Sequence, residues 1–179
     1  LLLLLLVVAW AGFYQAMKQT AMRIRFDAAF LRLPVLGRLA TGYNTARFAS
    51  TLAMLTGAGV PILKAMQSAA DTLSNQALRA DVLDALVLVR EGAPLAMALG
   101  QKKRFPSLLA MFARLGEQTG QLPVMLQRAA QQLSSDVQRR AMALATILEP
   151  LLIVLMGGVV MVIVLAVLMP IMELNQWVK

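Results

Sequence analysis

Hydrophobic residues follow two different patterns along this chain. At both ends they form apolar blocks, residues 1–14 and 150–172, whereas between the blocks they recur every three or four positions. An apolar block of membrane length is typical of a transmembrane helix, and a spacing of three and four is typical of an amphipathic helix that packs on one face. Alternation of apolar and polar residues is absent, so the pattern predicts helices throughout and no β-strand.

The two apolar blocks differ in length. Residues 150–172 carry no charge and would form a helix of about 34 Å, enough to cross the roughly 30 Å hydrocarbon core of a bilayer. Residues 1–14 would reach only about 21 Å, so we expect this span to be truncated at its N-terminus. The predicted organisation is a truncated transmembrane helix at 1–16, a cytoplasmic helical domain at 17–140, a transmembrane helix at 141–174 and a periplasmic tail at 175–179.

Six helical segments are predicted after the first apolar block, and glycine, proline and asparagine separate them. The sixth continues into the second apolar block. The sixth segment has one apolar stripe that continues at steps of three and four from Leu126 to Leu148, where the second apolar block begins. The fold prediction is therefore all-α: a six-helix cytoplasmic bundle whose last helix is continuous with the C-terminal span. The first five segments are Thr45–Thr56, Ile62–Leu73, Gln76–Arg90, Pro94–Gly100 and Phe105–Leu115.

The distribution of charge predicts the orientation of the chain in a membrane. Lys and Arg outnumber Asp and Glu by 17 to 9 over 179 residues, which gives a net charge of +8. Basic residues close to a span mark its cytoplasmic side, and beyond the last span there is only Lys179. The central domain is therefore expected in the cytoplasm. The basic residues on the inner flanks of the two spans are Lys18, Arg23, Arg25, Arg32, Arg128, Arg139 and Arg140.

The residue types that carry most catalytic and metal chemistry are missing from the sequence. It has no cysteine and no histidine, which excludes disulfides, thiol nucleophiles and imidazole ligands within this chain. Its 12 methionines are scattered through the predicted helices, and no nucleophile has a base beside it. We therefore expect a protein that is not an enzyme, with no cofactor and no metal site.

An acid and a proline stand side by side at the start of the second apolar block. Pro150 removes the helical hydrogen bond to the carbonyl of Thr146, which predicts a bend where the helix meets the membrane. Glu149 has two interpretations: a partner site or register pin between helices of an oligomer, or an acid at headgroup level that does little. Pro170 marks a second bend or the end of the helix.

A glutamate flanked by glycines lies between the fifth and sixth predicted helices. Glu117 stands between Gly116 and Gly120 in the stretch LGEQTGQL. Glycines relieve backbone strain in a turn, and Thr119 could cap the following helix, so the spacing alone favours a structural turn over a binding role for Glu117.

Three consecutive basic residues, Lys102, Lys103 and Arg104, precede the fifth helix. They are a candidate patch for nucleic acid or anionic lipid. Only one aromatic residue accompanies them, and no nucleic-acid-binding module is recognisable. A solvated loop, or a contact for an acidic protein surface, is the favoured interpretation, and we expect no nucleic-acid partner.

Several segments of the chain together resemble a known protein family. Their order and spacing look like those of the inner-membrane platform proteins of type II secretion systems and type IV pili, and the C-terminal LMPIMELN resembles the secretion branch, protein F. The segments are LPVLGRL (33–39), ARFASTLAMLTGAGVPILKAM (46–66), VREGAPLAMAL (89–99), FPSLLAMFARLGEQTGQLPVML (105–126) and LEPLLIVLMGGVVMVIVLAVLMPIMELN (148–175).

The resemblance implies a role that composition does not reveal. Such platform proteins have two similar six-helix cytoplasmic domains and three spans, so this chain would be the second domain with its flanking spans. By this resemblance they engage a cytoplasmic secretion ATPase, other inner-membrane secretion components and pseudopilins, and they turn ATPase motion into growth of a pseudopilus. The expected partners are therefore these proteins, the lipid bilayer and further copies of the chain in a homo-oligomer.

The resemblance also points to individual residues. The family's glycine–glutamate turn, a partner or packing site, matches Gly116, Glu117, Gly120 and Leu122. Its acid–proline pair at the start of the last span matches Glu149 and Pro150, and its proline near the span exit matches Pro170.

Two other functions have to be compared with the sequence. A transporter or channel half would need polar residues inside the membrane, and none lies between residues 150 and 172. A type IV pilus platform would differ in cargo but not in physical design, so it is kept as the alternative.

Overall fold

A computed structural model of the chain describes residues 20–31 and 33–176, and it describes side chains for residues 23–31 and 33–168. All regular structure in these residues is helical, which confirms the all-α prediction. The predicted span at 1–16 and residues 177–179 of the predicted tail lie outside the described residues. The helices are α1 (Thr20–Phe30), α2 (Leu36–Gly57), α3 (Ile62–Ala70), α4 (Gln76–Arg90), α5 (Leu95–Gly100), α6 (Ser107–Thr119) and α7 (Leu122–Gln176).

The last helix of the bundle is continuous with the second apolar block, as predicted. Helix α7 is uninterrupted from Leu122 to Gln176 and passes through Pro150 and Pro170. The chain divides into two compact units between Val137 and Gln138. The first unit therefore holds α1–α6 with the beginning of α7, and the second holds the rest of α7.

One predicted boundary is wrong at the beginning of the bundle. Helix α2 starts at Leu36 and not at Thr45, although Gly37 and Gly42 lie in its first turns. Gly42 is helical because it packs closely: a Cβ atom at this position would lie 2.6 Å from Cγ2 of Val137. Tertiary packing thus outweighs the low helix propensity of glycine, which costs only about 1 kcal/mol.

A further boundary is wrong at the other end of the bundle. Helix α6 continues to Thr119 and not only to Leu115, so Gly116 and Glu117 are helical and do not lie in a turn. The Thr119 hydroxyl donates a hydrogen bond to the carbonyl of Leu115 at 2.8 Å, within its own helix. Thr119 therefore does not cap the next helix. Its neighbour Gly120 ends α6 instead.

One apolar core holds the first unit together. Residues from α2 to α7 contribute to it, and the rings of Phe48 and Phe105 within it lie 6.0 Å apart. Burial of each large apolar side chain stabilises the fold by about 1.5–3 kcal/mol relative to exposure. Its largest fully buried apolar side chains are Phe48, Leu52, Met66, Leu78, Leu99, Leu109, Leu126 and Val82.

The backbone N–H groups at the N-terminus of α4 donate hydrogen bonds to two side chains, one beside the helix and one from α1. The side-chain oxygen of Asn75 accepts hydrogen bonds from the backbone N–H groups of Ala77 and Leu78, both at 3.0 Å. The carboxylate of Asp27 on α1 accepts a third, from the N–H of Gln76 at 2.8 Å. The first N–H groups of a helix have no partner inside it, so these acceptors stabilise the start of α4, and the Asp27 contact also joins α1 to α4.

Substitution of Asn75 by alanine should lower the free energy of unfolding by about 1 kcal/mol, the usual cost of losing an N-cap. Urea unfolding of the full chain in detergent, followed by circular dichroism, measures this difference. Ser74→Ala is the matched control: the Ser74 side chain is exposed, and its backbone N–H donates to Asn44 at 2.9 Å whatever side chain it carries. Equal losses in the two variants would contradict the capping role.

Candidate partner-binding site

The turn between α6 and α7 brings three of the predicted site residues together. Gly120 has a left-handed backbone with φ of 69°, and the N–H of Gln121 donates to the carbonyl of Gly116 at 3.0 Å. Helix α7 begins at once at Leu122, which packs against the core. A Cβ atom on Gly116 would lie 2.7 Å from the Cα atom of Leu122. Gly116 thus permits an approach of α6 and α7 that no side chain would allow.

Glu117 connects α6 to a different helix. Its carboxylate accepts hydrogen bonds from the backbone N–H groups of Leu95 at 2.5 Å and Ala96 at 3.2 Å. These are the first residues of α5, which is six residues long. The residue at its N-cap position is Pro94, whose side chain has no oxygen to accept a hydrogen bond from the helix. A negative charge at a helix N-terminus is favourable, because the unpaired N–H groups and the helix dipole both point towards it. This geometry favours packing over partner binding for Glu117.

The basic run is anchored to α4 through two ion pairs. Nζ of Lys102 lies 3.2 Å from Oδ2 of Asp84, and a guanidinium nitrogen of Arg104 lies 2.7 Å from Oδ1 of Asp81. Asp81 is buried, whereas Lys103 is exposed. Two of the three charges are therefore already neutralised within the domain, which fits an ordered loop better than a surface for a polyanion.

The acid–proline pair and the second proline lie in the other unit. Glu149 and Pro150 are exposed and helical, and the helix continues beyond Pro170 to Gln176, so Pro170 does not end it. The hydroxyl of Thr146 donates to the carbonyl of Met142 at 3.0 Å. In the described part of the chain, α7 is the one helix that is long and apolar enough to cross a membrane.

The structure adds a surface that the sequence interpretation missed. Two adjoining cavities of about 280 and 530 Å³ lie between side chains of α2 and α7 and share Gln127 and Gln131. We call this surface the α2–α7 groove. It is lined by Tyr43, Ala46, Arg47, Ser50, Ala53 and Met54 from α2, and by Pro123, Val124, Gln127, Arg128, Ala130, Gln131 and Ser134 from α7.

A signal for the groove was present in the sequence. Tyr43, Arg47, Ser50 and Met54 follow one another at steps of four, three and four, which places them on one face of a helix. The predicted helix began only at Thr45, so this second face was not recognised beside the core face.

These features define a class: an α-helical bundle joined to a helix of membrane-spanning length, in which the described residues hold no cluster of three potential metal-binding side chains among Asp and Glu. Comparison with known proteins gives the family. The family model described as "Type II secretion system (T2SS), protein F" matches residues 48–170, and the chain belongs to this family. The resemblance inferred from the sequence is thereby confirmed.

Individual relatives come from secretion and from pilus systems. The chain is 41% identical over 167 residues to type II secretion system protein F of Pseudomonas aeruginosa, covering 93% of this chain and 41% of the relative. It is 41% identical over 176 residues to the protein F of Vibrio cholerae, with 98% and 42% covered. It is 34% identical over 174 residues to the type IV pilus assembly protein PilC of Thermus thermophilus, with 96% and 43% covered.

The chain spans about two fifths of the length of the curated relatives it matches. Protein F and its pilus counterparts form one family of platform proteins, and proteins F are inner-membrane components of the secretion machinery. Family membership and the length of α7 therefore agree with a membrane-associated member of a family of secretion and pilus platform proteins.

Proposed function

We propose that this chain is part of a non-enzymatic inner-membrane platform that couples a cytoplasmic secretion ATPase to pseudopilus assembly and protein export. The observation that supports this most strongly is the match to the protein F family over residues 48–170. In this proposal residues 17–140 lie in the cytoplasm, residues 141–174 cross the inner membrane, and residues 175–179 reach the periplasm. The proposal also includes a span at 1–16, which would make the protein multi-pass.

The proposed mechanical element is α7. A helix resists stretching because every turn is closed by backbone hydrogen bonds, so it can pass a displacement along its axis. Helix α7 contains bundle residues such as Leu126 and also the apolar block that starts at Pro150. We propose that it carries ATPase-driven movement into the bilayer, with the bend expected at Glu149 and Pro150 setting the direction of that movement.

Partners follow from the same proposal. The cytoplasmic unit would contact the ATPase and other inner-membrane secretion components, and the membrane segment would contact pseudopilins and further copies of the chain. Glu149, the exposed acid next to the apolar block, is the candidate for a contact between helices in such an assembly.

The test uses the whole platform protein in a bacterium that secretes by the type II route. We expect the tagged full-length protein, purified in mild detergent, to bring down the cognate secretion ATPase, and we expect deletion of its gene to abolish export. Pro150→Ala should keep ATPase binding and reduce export, since it restores the helical hydrogen bond and straightens the junction. Val154→Ala, at an exposed position of the same helix, is the matched control and should change neither.

The two parts of the proposal can fail separately. If the ATPase does not co-purify and export survives gene deletion, the platform role is wrong. If Pro150→Ala exports like the control variant, the coupling through the junction is wrong and the platform role remains.

A type IV pilus platform is the second candidate, because pilus assembly proteins match nearly the whole chain. The PilC of Myxococcus xanthus is 32% identical over 94% of it. Gene deletion separates the two functions: loss of exported proteins from the medium supports the secretion system, and loss of surface pili with normal export supports the pilus system.

A further inference from the structure

The α2–α7 groove has the size of a short helix. Its α2 wall extends from Tyr43 to Met54, a distance of about 16 Å or about three turns at 1.5 Å per residue. The two cavities share Gln127 and Gln131 on the opposite wall, so they adjoin along the groove. A groove between two helices accommodates a third helix, whose side-chain ridges fit between theirs.

The groove is apolar at its base and on parts of its rim. Ala53 and Ala130 are buried at the base, and small side chains at these positions leave room for a partner's side chains. Met54 is 70% exposed and Val124 is 48% exposed, on opposite walls. Exposed apolar side chains that line a concave surface are typical of a helix-binding groove, and methionine adapts well to the shape of a partner.

The charge of the groove has one sign. Arg47 and Arg128 line it, and no carboxylate does. Within the described residues neither arginine has an ion-pair partner. The guanidinium of Arg47 lies 5.7 Å from the centre of the Tyr43 ring. This cation–π contact places its charge at one end of the groove.

We propose that the α2–α7 groove binds an amphipathic, acidic α-helix of another cytoplasmic component of the secretion machinery. The apolar face of that helix would contact Met54 and Val124, and its carboxylates would pair with Arg47 and Arg128. A second copy of this chain is a poorer occupant, because its net charge is +8. The inference rests on the proposed function for the existence of such a component.

Photo-crosslinking in living cells tests the occupant directly. A photoreactive amino acid replaces Met54 in the full-length protein, in a strain that has the complete machinery. A second strain carries it at Met111, which is 58% exposed on α6 and lines neither cavity. We expect a product from position 54 that is absent from position 111. Mass spectrometry should identify the crosslinked segment as helical, with hydrophobic residues at three- and four-residue spacing and a net negative charge.

Charge reversal provides the quantitative test. Arg47→Glu combined with Arg128→Glu should lower the yield of the Met54 product about tenfold or more, because two opposite-charge contacts become repulsive. Arg90→Glu combined with Arg114→Glu changes the net charge equally at exposed positions outside the groove and should leave the yield unchanged. This control separates a local effect from a general one.

Several outcomes would overturn the inference. These are the absence of a product at position 54, a crosslinked segment that is neutral or basic, a product with a second copy of this chain, and equal losses in the two double variants. The proposed function fails by a different result, namely export that survives deletion of the gene. Export that depends on the gene without a product at position 54 would reject the groove alone.

Discussion

Gly116→Ala should lower the free energy of unfolding of the first unit by about 2–3 kcal/mol, although alanine is the better helix former. The Cβ atom of alanine would stand 2.7 Å from the Cα atom of Leu122 and 3.1 Å from Cβ of Met125. The first of these atoms belongs to the backbone, so relief requires α6 and α7 to move apart. Urea unfolding of the full chain in detergent measures the loss.

Gly57→Ala is the matched control for this substitution. Gly57 is also helical, at the end of α2, and a Cβ atom there would meet only Cβ of Pro123 at 3.6 Å, an ordinary contact distance. Its stability should stay equal or rise by up to about 1 kcal/mol, the gain expected from helix propensity alone. If both variants behave alike, the close packing of Gly116 does not matter for stability.

Glu117→Ala should cost about 2 kcal/mol, because two backbone N–H groups of α5 lose a charged acceptor. Glu117→Gln should cost less, since an amide oxygen still accepts a hydrogen bond but carries no charge to favour the helix dipole. The substitution should destabilise α5 locally in addition to lowering the free energy of unfolding of the whole unit. Hydrogen exchange at the amides of Leu95 and Ala96 should accelerate more than exchange in α4, because the Glu117 carboxylate accepts its hydrogen bonds from Leu95 and Ala96 of α5.

Glu91→Ala provides the comparison for Glu117. Glu91 is exposed at the end of α4, and within the described residues its side chain accepts no hydrogen bond. The same loss of charge there should change stability by less than about 0.5 kcal/mol. Unchanged exchange at α5 in Glu117→Ala would mean that water replaces the carboxylate and that Glu117 is available for a partner.

Much of the fold could be predicted from local patterns. The spacing of apolar residues in a helix and the helix breakers such as Gly92 involve only residues close in sequence, so both can be recognised from the sequence. The steps of three and four from Leu126 onwards predicted the continuity of α7. The same reasoning placed a helix end at Gly116, because glycine is usually a breaker. What it missed is that Gly116 is required by a neighbouring helix.

The site was less predictable for a related physical reason. Glu117 and Leu95 are 22 positions apart, and their hydrogen bond exists only once α5 and α6 are packed. The ion pair between Arg104 and Asp81, 23 positions apart, is likewise a product of the tertiary fold. The capping role of Asn75 is easier to predict from the sequence, since asparagine directly before a helical segment is the usual signature of an N-cap.

The dependence of α5 on Glu117 also concerns the order of events during synthesis. A six-residue helix is too short to be stable by itself. Glu117, which caps α5, is synthesised 22 residues after Leu95. Helix α5 should therefore stay unformed on the ribosome until α6 has emerged and its carboxylate can bind the N–H groups of α5. A nascent chain arrested before residue 117 should therefore leave residues 95–100 open to proteases, and one arrested well beyond it should protect them.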